Sequence, residues 1–471
     1  MAEAVAGAIA AEQIVATLAE AAAAVAVAQP TQPPKVSLTQ LAKPSGEDAK
    51  DEGLMLARSG HTATVIGNTA WIFGGEGPDG FFCPADMIAV SLPAAEKTTS
   101  AADASTPSTA TTYTRHDVTG IKPTRRTQHA ACSRADRYII IHGGKNMDGE
   151  AIFEDEVWMF DTVNLKWIVI PSATQIGTIM EARYGHHIFV DPKQDLLILH
   201  GGHPNREIVW DGEAGWYDYR KKTKDAADGS SGSSSSEYPV FKAINTVAET
   251  WMFDLEARAW TQLPPSPASG PPVAAALVDS TLYSINYETN IGGKIHWLYL
   301  HQSATERERP DALVWHTAAF PANPFHPGPR PRKDAALLPL KTGMGRQYLV
   351  FMFGCSPAGY KEPEGFMADI WALQLPSTGV SAAAAKDAIR DKLPGMESGK
   401  LTWSEVEVIP TEQIGTGGKA HPGGRCFFGA DSCYDGKGIV MLGGLNRWSE
   451  KEADGWILRL AYGYSDDNRF E

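Results

Sequence analysis

The side chains best suited to chemistry in this sequence are an acid, a lysine, a histidine and a tyrosine. Glu76, Lys145 and His203 each stand directly after a pair of glycines, and Tyr287 follows a comparable apolar run. Groups of these types can pass protons to and from a small molecule when they lie close together. The same groups can equally bind a peptide. Both chemistries require a fold that brings four distant positions to one place.

The apolar runs before these residues belong to an internal repeat with three parts in a fixed order. An Arg-x-x-His segment comes first, an apolar run ending in Gly-Gly follows, and a tryptophan pair flanking Phe-Asp completes the copy. The parts occur as the segments Arg58–His61, Arg126–His129 and Arg183–His186, the runs Trp71–Gly75, Tyr138–Gly144 and Leu196–Gly202, and the pairs Trp158/Trp167 and Trp251/Trp260. Short β-branched and aromatic runs separated by glycine turns predict four-stranded sheets in a radial array.

This pattern resembles the kelch repeat, a family whose fold is the β-propeller. The resemblance covers roughly residues 55–460 and implies an all-β fold, a six-bladed kelch β-propeller. The fourth copy is degenerate, with Ser284-Ile285-Asn286 where the glycine pair should stand. The last copy ends after its third strand, and an unpaired sheet edge promotes aggregation. We therefore expect residues 35–41 to supply a closing N-terminal strand.

The chain divides into three parts on this interpretation. Residues 1–34 form an Ala-rich helical or mobile segment and a linker, residues 35–465 the propeller, and residues 466–471 a tail. We expect the closing strand within 35–54 and blades at approximately 55–119, 120–176, 177–266, 267–322, 323–412 and 413–465. The first 28 residues contain no lysine or arginine and carry Glu3, Glu12 and Glu20, which favours a short helix over a signal peptide or a membrane span.

The repeated arginines and histidines have two interpretations. They are candidates for ligand binding, because a trio of imidazoles could point into a central channel, and imidazoles are common metal ligands. Arg-x-x-His is, however, itself part of the kelch pattern, so we favour a structural role in turns between blades and predict neither a metal nor a cofactor. The candidate binding residues of this kind are Arg58, His61, Arg126, His129, Arg183 and His186.

Positions that differ between the copies are the better candidates for function, because residues that repeat serve the fold. Besides the four residues named first, they are Asn286, Ser356, Asn446 and Arg447. The long segment 203–220 after the third glycine pair adds Arg206, Trp210 and Trp216 as binding candidates. This segment is either a lid or partner-binding arm, or a loop that buries its own aromatic side chains.

Composition limits the classes of partner. With 42 basic against 56 acidic residues, the net charge of −14 disfavours nucleic acid. The five cysteines show no close C-x-x-C spacing, so neither a disulfide framework nor a zinc site is predicted. A reducing, cytoplasmic setting fits best, and we expect a monomer rather than an oligomer.

Two functions stay open on the sequence. The first is a protein-interaction scaffold that binds a protein partner or ligand through the loop-bearing mouth of the propeller. The second is a metal-independent enzyme or accessory protein, of isomerase or cyclase type, acting on a small molecule in a secondary-metabolite pathway. The sequence holds no phosphate-binding loop, dinucleotide fingerprint or hydrolase elbow that would decide between them.

Overall fold

A computed structural model describes most of the predicted propeller. The described residues are 33–44, 55–94, 111–152, 156–172, 180–204, 208–211, 215–218, 248–268, 272–288, 292–300, 313–323, 326–343, 345–356, 365–377, 381–392, 401–409 and 419–461. The predicted Ala-rich N-terminal helix lies outside these residues.

Six large sheets form the blades, antiparallel except for one strand pair in blade six, and each blade begins in sequence with the strand nearest the axis, apart from the N-terminal strand added to blade six. Blade one contains β2 (Thr62–Ile66), β3 (Thr69–Phe73), β4 (Met87–Ser91) and β5 (Tyr113–His116). Blade two contains β6 (Ala130–Arg134), β7 (Tyr138–His142), β8 (Glu156–Asp161) and β9 (Lys166–Pro171). Blade three contains β11 (His187–Asp191), β12 (Leu196–His200), β16 (Thr250–Asp254) and β17 (Ala259–Leu263).

The remaining blades follow the same order. Blade four contains β18 (Ala274–Val278), β19 (Thr281–Glu288), β20 (Gly292–Tyr299) and β21 (Trp315–Ala319). Blade five contains β24 (Ala336–Lys341), β25 (Gln347–Met352), β26 (Ile370–Gln374) and β27 (Thr402–Glu405). Blade six contains β30 (Gly429–Cys433), β31 (Gly438–Leu442) and β33 (Gly455–Leu460).

Smaller elements join the blades. Four two-stranded sheets pair β10 (Arg183–Tyr184) with β13 (His203–Pro204), β14 (Ile208–Asp211) with β15 (Gly215–Asp218), β22 (Ala322–Asn323) with β23 (His326–Pro327), and β29 (Arg425–Cys426) with β32 (Leu445–Asn446). The described residues contain one helix, α1 (Ala382–Arg390), capped by the Ser381 hydroxyl, which accepts a hydrogen bond from the Ala384 amide. Buried Arg346 ties this helix to blade five through a paired contact with Asp387 (2.7 and 3.0 Å).

The ends of the chain close the ring. Strand β1 (Lys35–Gln40) pairs antiparallel with β33, from Val36 opposite Leu460 to Gln40 opposite Trp456. On its outer side β1 pairs in parallel with β28 (Glu407–Ile409). The N-terminal strand thus supplies the outer strand that blade six lacks. The structure confirms the all-β, six-bladed propeller and the predicted closing strand.

The core lies between blades rather than within them. Side chains alternate along each strand, so one set packs against the preceding blade and the next set against the following one. In β7, Ile139 and Ile141 join the cluster between blades one and two, while Ile140 joins the cluster between blades two and three. Among the described residues, six such clusters separate the six blades. Large aromatic side chains are prominent in the clusters between blades one and two and between blades four and five, where flat rings cover much apolar area.

Candidate functional site

A central channel runs between the six innermost strands and has a volume of about 860 Å³. We call its two ends the mouth, where second strands lead into third strands, and the opposite end, where first and second strands form tight hairpins. Small side chains line much of the channel wall, including Ala63, Ala131, Ala275, Ala336 and Ala430. Much of the channel wall is therefore formed by backbone and methyl groups.

The repeated arginines are buried beneath the mouth. Arg58, Arg126 and Arg183 are at most 2 % exposed, and each donates from Nη1 to the carbonyl of the first glycine of its own pair, at 2.9, 3.1 and 2.9 Å. Arg332 and Arg425 make the equivalent bond in blades five and six. Within the described residues the arginines satisfy backbone carbonyls where the second strand ends, which is a structural role.

The repeated histidines explain the glycine pairs. A methyl group on Gly74 would lie 2.9 Å from the His129 ring of the next blade, and one on Gly144 would lie 2.9 Å from the Cβ of His129 itself. The same contacts place His186 between Gly143 and Gly202, and His61 between Gly443 and Gly75. Each histidine is thus wedged between two glycines of neighbouring blades. We call this unit, an arginine, a histidine and the two glycines, a joint.

Burial controls the charge of the joint histidines. It lowers the pKa of His61 to about 3, helped by the Arg58 charge and opposed by the backbone of Leu442. Burial and neighbouring cations also hold the pKa of His129 and His186 well below the ordinary value. His129 Nε2 pairs with Thr62 Oγ1 at 2.8 Å, and His186 Nε2 with His142 Nδ1 at 3.1 Å. These rings border the channel as neutral groups, and the described residues hold no cluster of three side chains suited to a metal ion.

The residue two positions after each joint arginine forms a ring around the mouth. Its backbone is left-handed in five blades, with φ of 66°, 54°, 63°, 55° and 54° at Gly60, Gln128, Gly185, Asp334 and Phe427. Backbone hydrogen bonds run from Gly60 to Phe427, from Gln128 to Gly60 and from Gly185 to Gln128, at 2.7–2.8 Å. This conformation favours glycine, asparagine and aspartate, a preference that Gly60, Gly185 and Asp334 follow and Gln128 and Phe427 do not.

The mouth is built from residue pairs that the sequence reveals only in part. The residue after each arginine pairs through its backbone with the residue after the glycine pair. These mouth pairs are Ser59–Glu76, Thr127–Lys145, Tyr184–His203, Lys333–Cys355 and Cys426–Leu445. Sequence reasoning found Glu76, Lys145 and His203 but missed their partners. The signal was present, because the position after the arginine differs in every copy while the arginine does not.

In the last two blades the equivalent positions lie one residue earlier than predicted. Phe353 (φ 57°) takes the place of the first glycine in blade five, so Cys355 rather than Ser356 corresponds to Glu76. In blade six the equivalent residue is Leu445 rather than Asn446. In blade four, strands β19 and β20 continue as one long hairpin through the position of the glycine pair. There Asn286 is buried and accepts a hydrogen bond from the Ser284 hydroxyl.

The predicted site residues divide between the mouth and other places. Glu76 forms an ion pair with Lys451 that joins blade one to blade six. Asn446 is buried and shapes its own turn by accepting from the Trp448 and Glu450 amides. Arg447 is exposed and lies 4.3 Å above the Trp448 ring. The side chains of Arg206, Trp210, Trp216 and Tyr287 lie outside the described residues.

Lys145 and His203, by contrast, come together around Tyr184. The Lys145 ammonium lies 3.8 Å from the centre of the Tyr184 ring, and the ring of His203 stacks on Tyr184 at 5.2 Å. Lys333 and Asp334 of blade five border the same channel. We call Lys145, Tyr184, His203 and Lys333 the basic sector of the mouth.

Comparison with known proteins agrees with this geometry over the first part of the ring. Residues 49–202 match a family model described as the KLHDC2/KLHL20/DRC7 Kelch-repeats domain. Kelch propellers generally serve as protein-interaction scaffolds. The matched region contains the joints of blades one to three, where the repeat is most regular.

Comparisons with solved structures and with curated proteins give no further information on function. A solved structure titled "Structure of YjhT" is 15 % identical in sequence, with a TM-score of 0.45, and the match covers 85 % of this chain and 94 % of that chain. The curated proteins contain no match to the sequence. In the described residues, no helix has the length and apolar character needed to cross a membrane.

Three turns at the mouth have the same backbone pairing, and each holds an exposed apolar side chain. In blades six, one and two, Leu445–Lys451, Glu76–Phe82 and Lys145–Ala151 each form the same isolated pair. Phe81, Met147 and Trp448 sit in these turns and are 62 %, 52 % and 64 % exposed. We call these three side chains the apolar tips. They occupy different positions within the turn, so no sequence pattern marked them.

Proposed function

We propose that this kelch propeller is a protein-interaction scaffold that binds a protein partner at its mouth through the apolar tips. One observation carries the proposal: three neighbouring turns with one shared geometry each hold a large apolar side chain in solvent. The rest of each turn is well ordered by its own hydrogen bonds. In blade two, for example, Asn146 accepts from the amides of Asp148 and Glu150.

Exposed apolar side chains on rigid turns suit a binding role. Single exposed apolar residues are common, but a set grouped on one end of a molecule indicates an interaction surface. Tryptophan and arginine are enriched among the residues that contribute most to protein binding. Trp448 with Arg447 stacked on it combines both, and the turn holds them in place before a partner arrives.

Photo-crosslinking tests this proposal by residue position. The crosslinking amino acid p-benzoylphenylalanine is introduced separately at Phe81, Met147 and Trp448 in cells of the source organism. The matched controls are Val163 and Tyr299, which are 70 % and 47 % exposed and lie at the opposite end of the propeller. All five sites accept a large ring because they already face solvent.

The proposal predicts the same protein adduct from all three mouth positions and no such adduct from the two controls. Equal adducts from both ends would mean non-specific contact and would contradict the proposal. An absence of adducts at the mouth, with normal expression and folding of each variant, would also contradict it.

A second function is favoured by a different observation, the channel itself. A cavity of about 860 Å³ opens beside Lys145 and His203, and burial raises the pKa of nearby Asp334 to about 6. General acid–base groups work best when their pKa lies near the working pH. This supports the alternative of a metal-independent enzyme, of isomerase or cyclase type, for a small metabolite. Metabolite profiles after gene deletion test it: one accumulating compound that Asp334→Asn fails to clear would support catalysis, and unchanged profiles would contradict it.

A further inference from the structure

We propose that the basic sector of the mouth is a carboxylate-binding site, formed where blades two, three and five converge at the entrance to the channel. Lys145, Tyr184, His203 and Lys333 all border the same cavity, although they are spread over nearly two hundred residues of sequence. The proposal does not depend on a protein partner at the apolar tips, which lie on other side chains. It names the class of ligand that the channel would admit.

Lys145 is the centre of the site. Its ammonium is directed onto the Tyr184 ring, with no carboxylate within ion-pair distance among the described residues. Partial burial lowers the pKa of Lys145, and the charge of Asp334 acts weakly in the opposite direction. A lysine that is partly removed from water without an anion beside it is costly, and a bound carboxylate would supply the missing partner.

The surroundings orient this ammonium. Tyr184 lies between Lys145 and the blade-three residue His203, which stacks on it at an angle of 26° between rings. The pairing of Tyr184 with His203 belongs to the short sheet β10–β13, so backbone hydrogen bonds fix both rings. A cation over an aromatic face is stabilised by about 0.5–2 kcal/mol, which holds the lysine in place without neutralising it. The site is thus assembled before a ligand enters.

The basic sector carries positive charge in a protein whose overall charge is negative. The chain has a net charge of −14, so two lysines that face the channel entrance from different blades do not reflect its overall composition. Burial first, then the charges of Lys145 and Lys333, lower the pKa of His203. His203 is therefore neutral near pH 7 and can offer a ring nitrogen to a ligand.

One carboxyl group in the sector limits the charge of the ligand. Asp334 is partly buried beside Lys333, and the Cys355 thiol donates to its Oδ2 at 3.8 Å. When ionised, Asp334 cancels part of the positive charge of the two lysines, which disfavours a dianion such as phosphate. A monoanion with an apolar body fits both this charge balance and the small apolar side chains of the channel wall. We therefore assign a carboxylate rather than a phosphate.

The carboxyl group of Asp334 also makes ligand binding depend on pH. Burial raises the pKa of Asp334 to about 6, against the smaller opposing effects of Lys333, the Cys355 thiol and Lys145. The other titratable groups facing it are His203 across the mouth and the buried thiol of Cys426. Below pH 6 Asp334 becomes neutral and no longer repels the ligand, so carboxylate binding strengthens as the pH falls from 7.5 to 5.5. In this range benzoate stays ionised.

Calorimetric titration of the full chain with benzoate tests the site, and benzamide is the uncharged control ligand. Lys145→Met keeps the length of the side chain but removes its charge, and Lys193→Met makes the same change at the opposite end of the channel. We expect Lys145→Met to weaken benzoate binding about tenfold or more, since a charge-assisted hydrogen bond contributes about 1.5–3 kcal/mol. Lys193→Met should bind as the wild type does, and benzamide should bind no better to the wild type than to Lys145→Met.

Two further titrations complete the test. Asp334→Asn suits the left-handed backbone at that residue (φ 55°) and should abolish the gain in affinity between pH 7.5 and 5.5. The blocked amino acid N-acetylglutamate N-methylamide reports the source of the carboxylate: tighter binding than benzoate indicates an acidic side chain of a protein, and weaker binding indicates a free organic acid. The proposal is overturned if benzamide binds as tightly as benzoate, or if folded Lys145→Met binds benzoate as tightly as the wild type.

Discussion

The four-residue segment that begins with the joint arginine contains two kinds of position: buried positions in the joints, and a variable position at the mouth. In this segment the first residue is a buried arginine in five blades. The last residue is a histidine in blades one to three and is replaced by Ala335 and Phe428 in blades five and six, and in all five blades it lies against a glycine that ends the second strand. The second residue joins a mouth pair and is serine, threonine, tyrosine, lysine or cysteine in the five blades that have the arginine. The same backbone therefore carries a uniform scaffold and a variable surface one residue apart.

The difference between joint and mouth positions shows where the sequence of a repeat can vary. A joint side chain meets glycines of two blades at once, so a change there disturbs the ring. A mouth residue meets solvent, the channel or one neighbour, so its chemistry can vary without loss of the fold. Blade four shows the limit, because Pro272 packs against Gly201 where a joint histidine would be, and its second and third strands run on as a plain hairpin.

The largest effect is expected from filling a joint. Gly74→Ala would place a methyl group 2.6 Å from the Arg126 carbonyl and 2.9 Å from the His129 ring, at a φ of 63°. Gly67→Ala is the matched control, since it has a φ of 57° but no atom within 4 Å. Urea unfolding should show a loss of about 4 kcal/mol for Gly74→Ala and about 1–2 kcal/mol for the control. Equal losses would show that backbone strain, not the joint, requires glycine.

Removing a joint arginine should lower the free energy of unfolding somewhat less than Gly74→Ala does. Arg126 is fully buried and bonds to the carbonyls of Gly143 and Thr124, whereas its neighbour Arg125 is exposed. Replacement by methionine should lower the free energy of unfolding by about 3 kcal/mol at Arg126 and by less than about 0.5 kcal/mol at Arg125. If Arg126→Met were as stable as Arg125→Met, the arginine would have to serve a ligand instead of the scaffold.

The neutral histidines of the joints predict sensitivity to acid. Because the folded pKa of His61 is about 3 and the unfolded value is 6.5, only the unfolded chain gains a proton as the pH falls below 6.5. Stability is thus fully present above pH 6.5 and declines below it, by at most about 1.4 kcal/mol per pH unit for each such histidine. Asp334 and Asp431, with pKa values raised to about 6, act in the opposite direction. Urea unfolding of a variant with both Asp334→Asn and Asp431→Asn between pH 7 and 5 isolates the histidine effect, and a flat profile would contradict it.

The smallest effect is expected at a mouth pair. Glu76 is partly exposed, and its ion pair with the mostly buried Lys451 lies between blades six and one. Lys451 also donates to the Gly77 carbonyl, so it keeps a partner when the charge of Glu76 is removed. Glu76→Gln should change the free energy of unfolding by less than about 1 kcal/mol, and the change should shrink in high salt. A loss approaching that of Arg126→Met would place Glu76 in the scaffold and remove the contrast between joints and mouth.

The sequence predicts the scaffold well because the joints impose local demands. Glycine pairs, buried arginines and wedged histidines each need one residue type at one place, and this is why the repeat and the closing strand could be recognised. The mouth is harder to predict from the sequence, because each mouth pair joins two residues 17 to 22 positions apart. The register of such a pair depends on the turn between its residues. Phe353 in a left-handed conformation hid that register in blade five. The apolar tips follow no pattern, since each occupies a different place in its turn.

The most direct test of the division between joints and mouth is urea unfolding of one variant that combines Phe81→Ser, Met147→Ser and Trp448→Ser. These side chains are mostly in solvent, so the account predicts a free energy of unfolding within about 1 kcal/mol of the wild type. A loss as large as that of Arg126→Met would show that the apolar tips hold the ring together, and would contradict their assignment to binding.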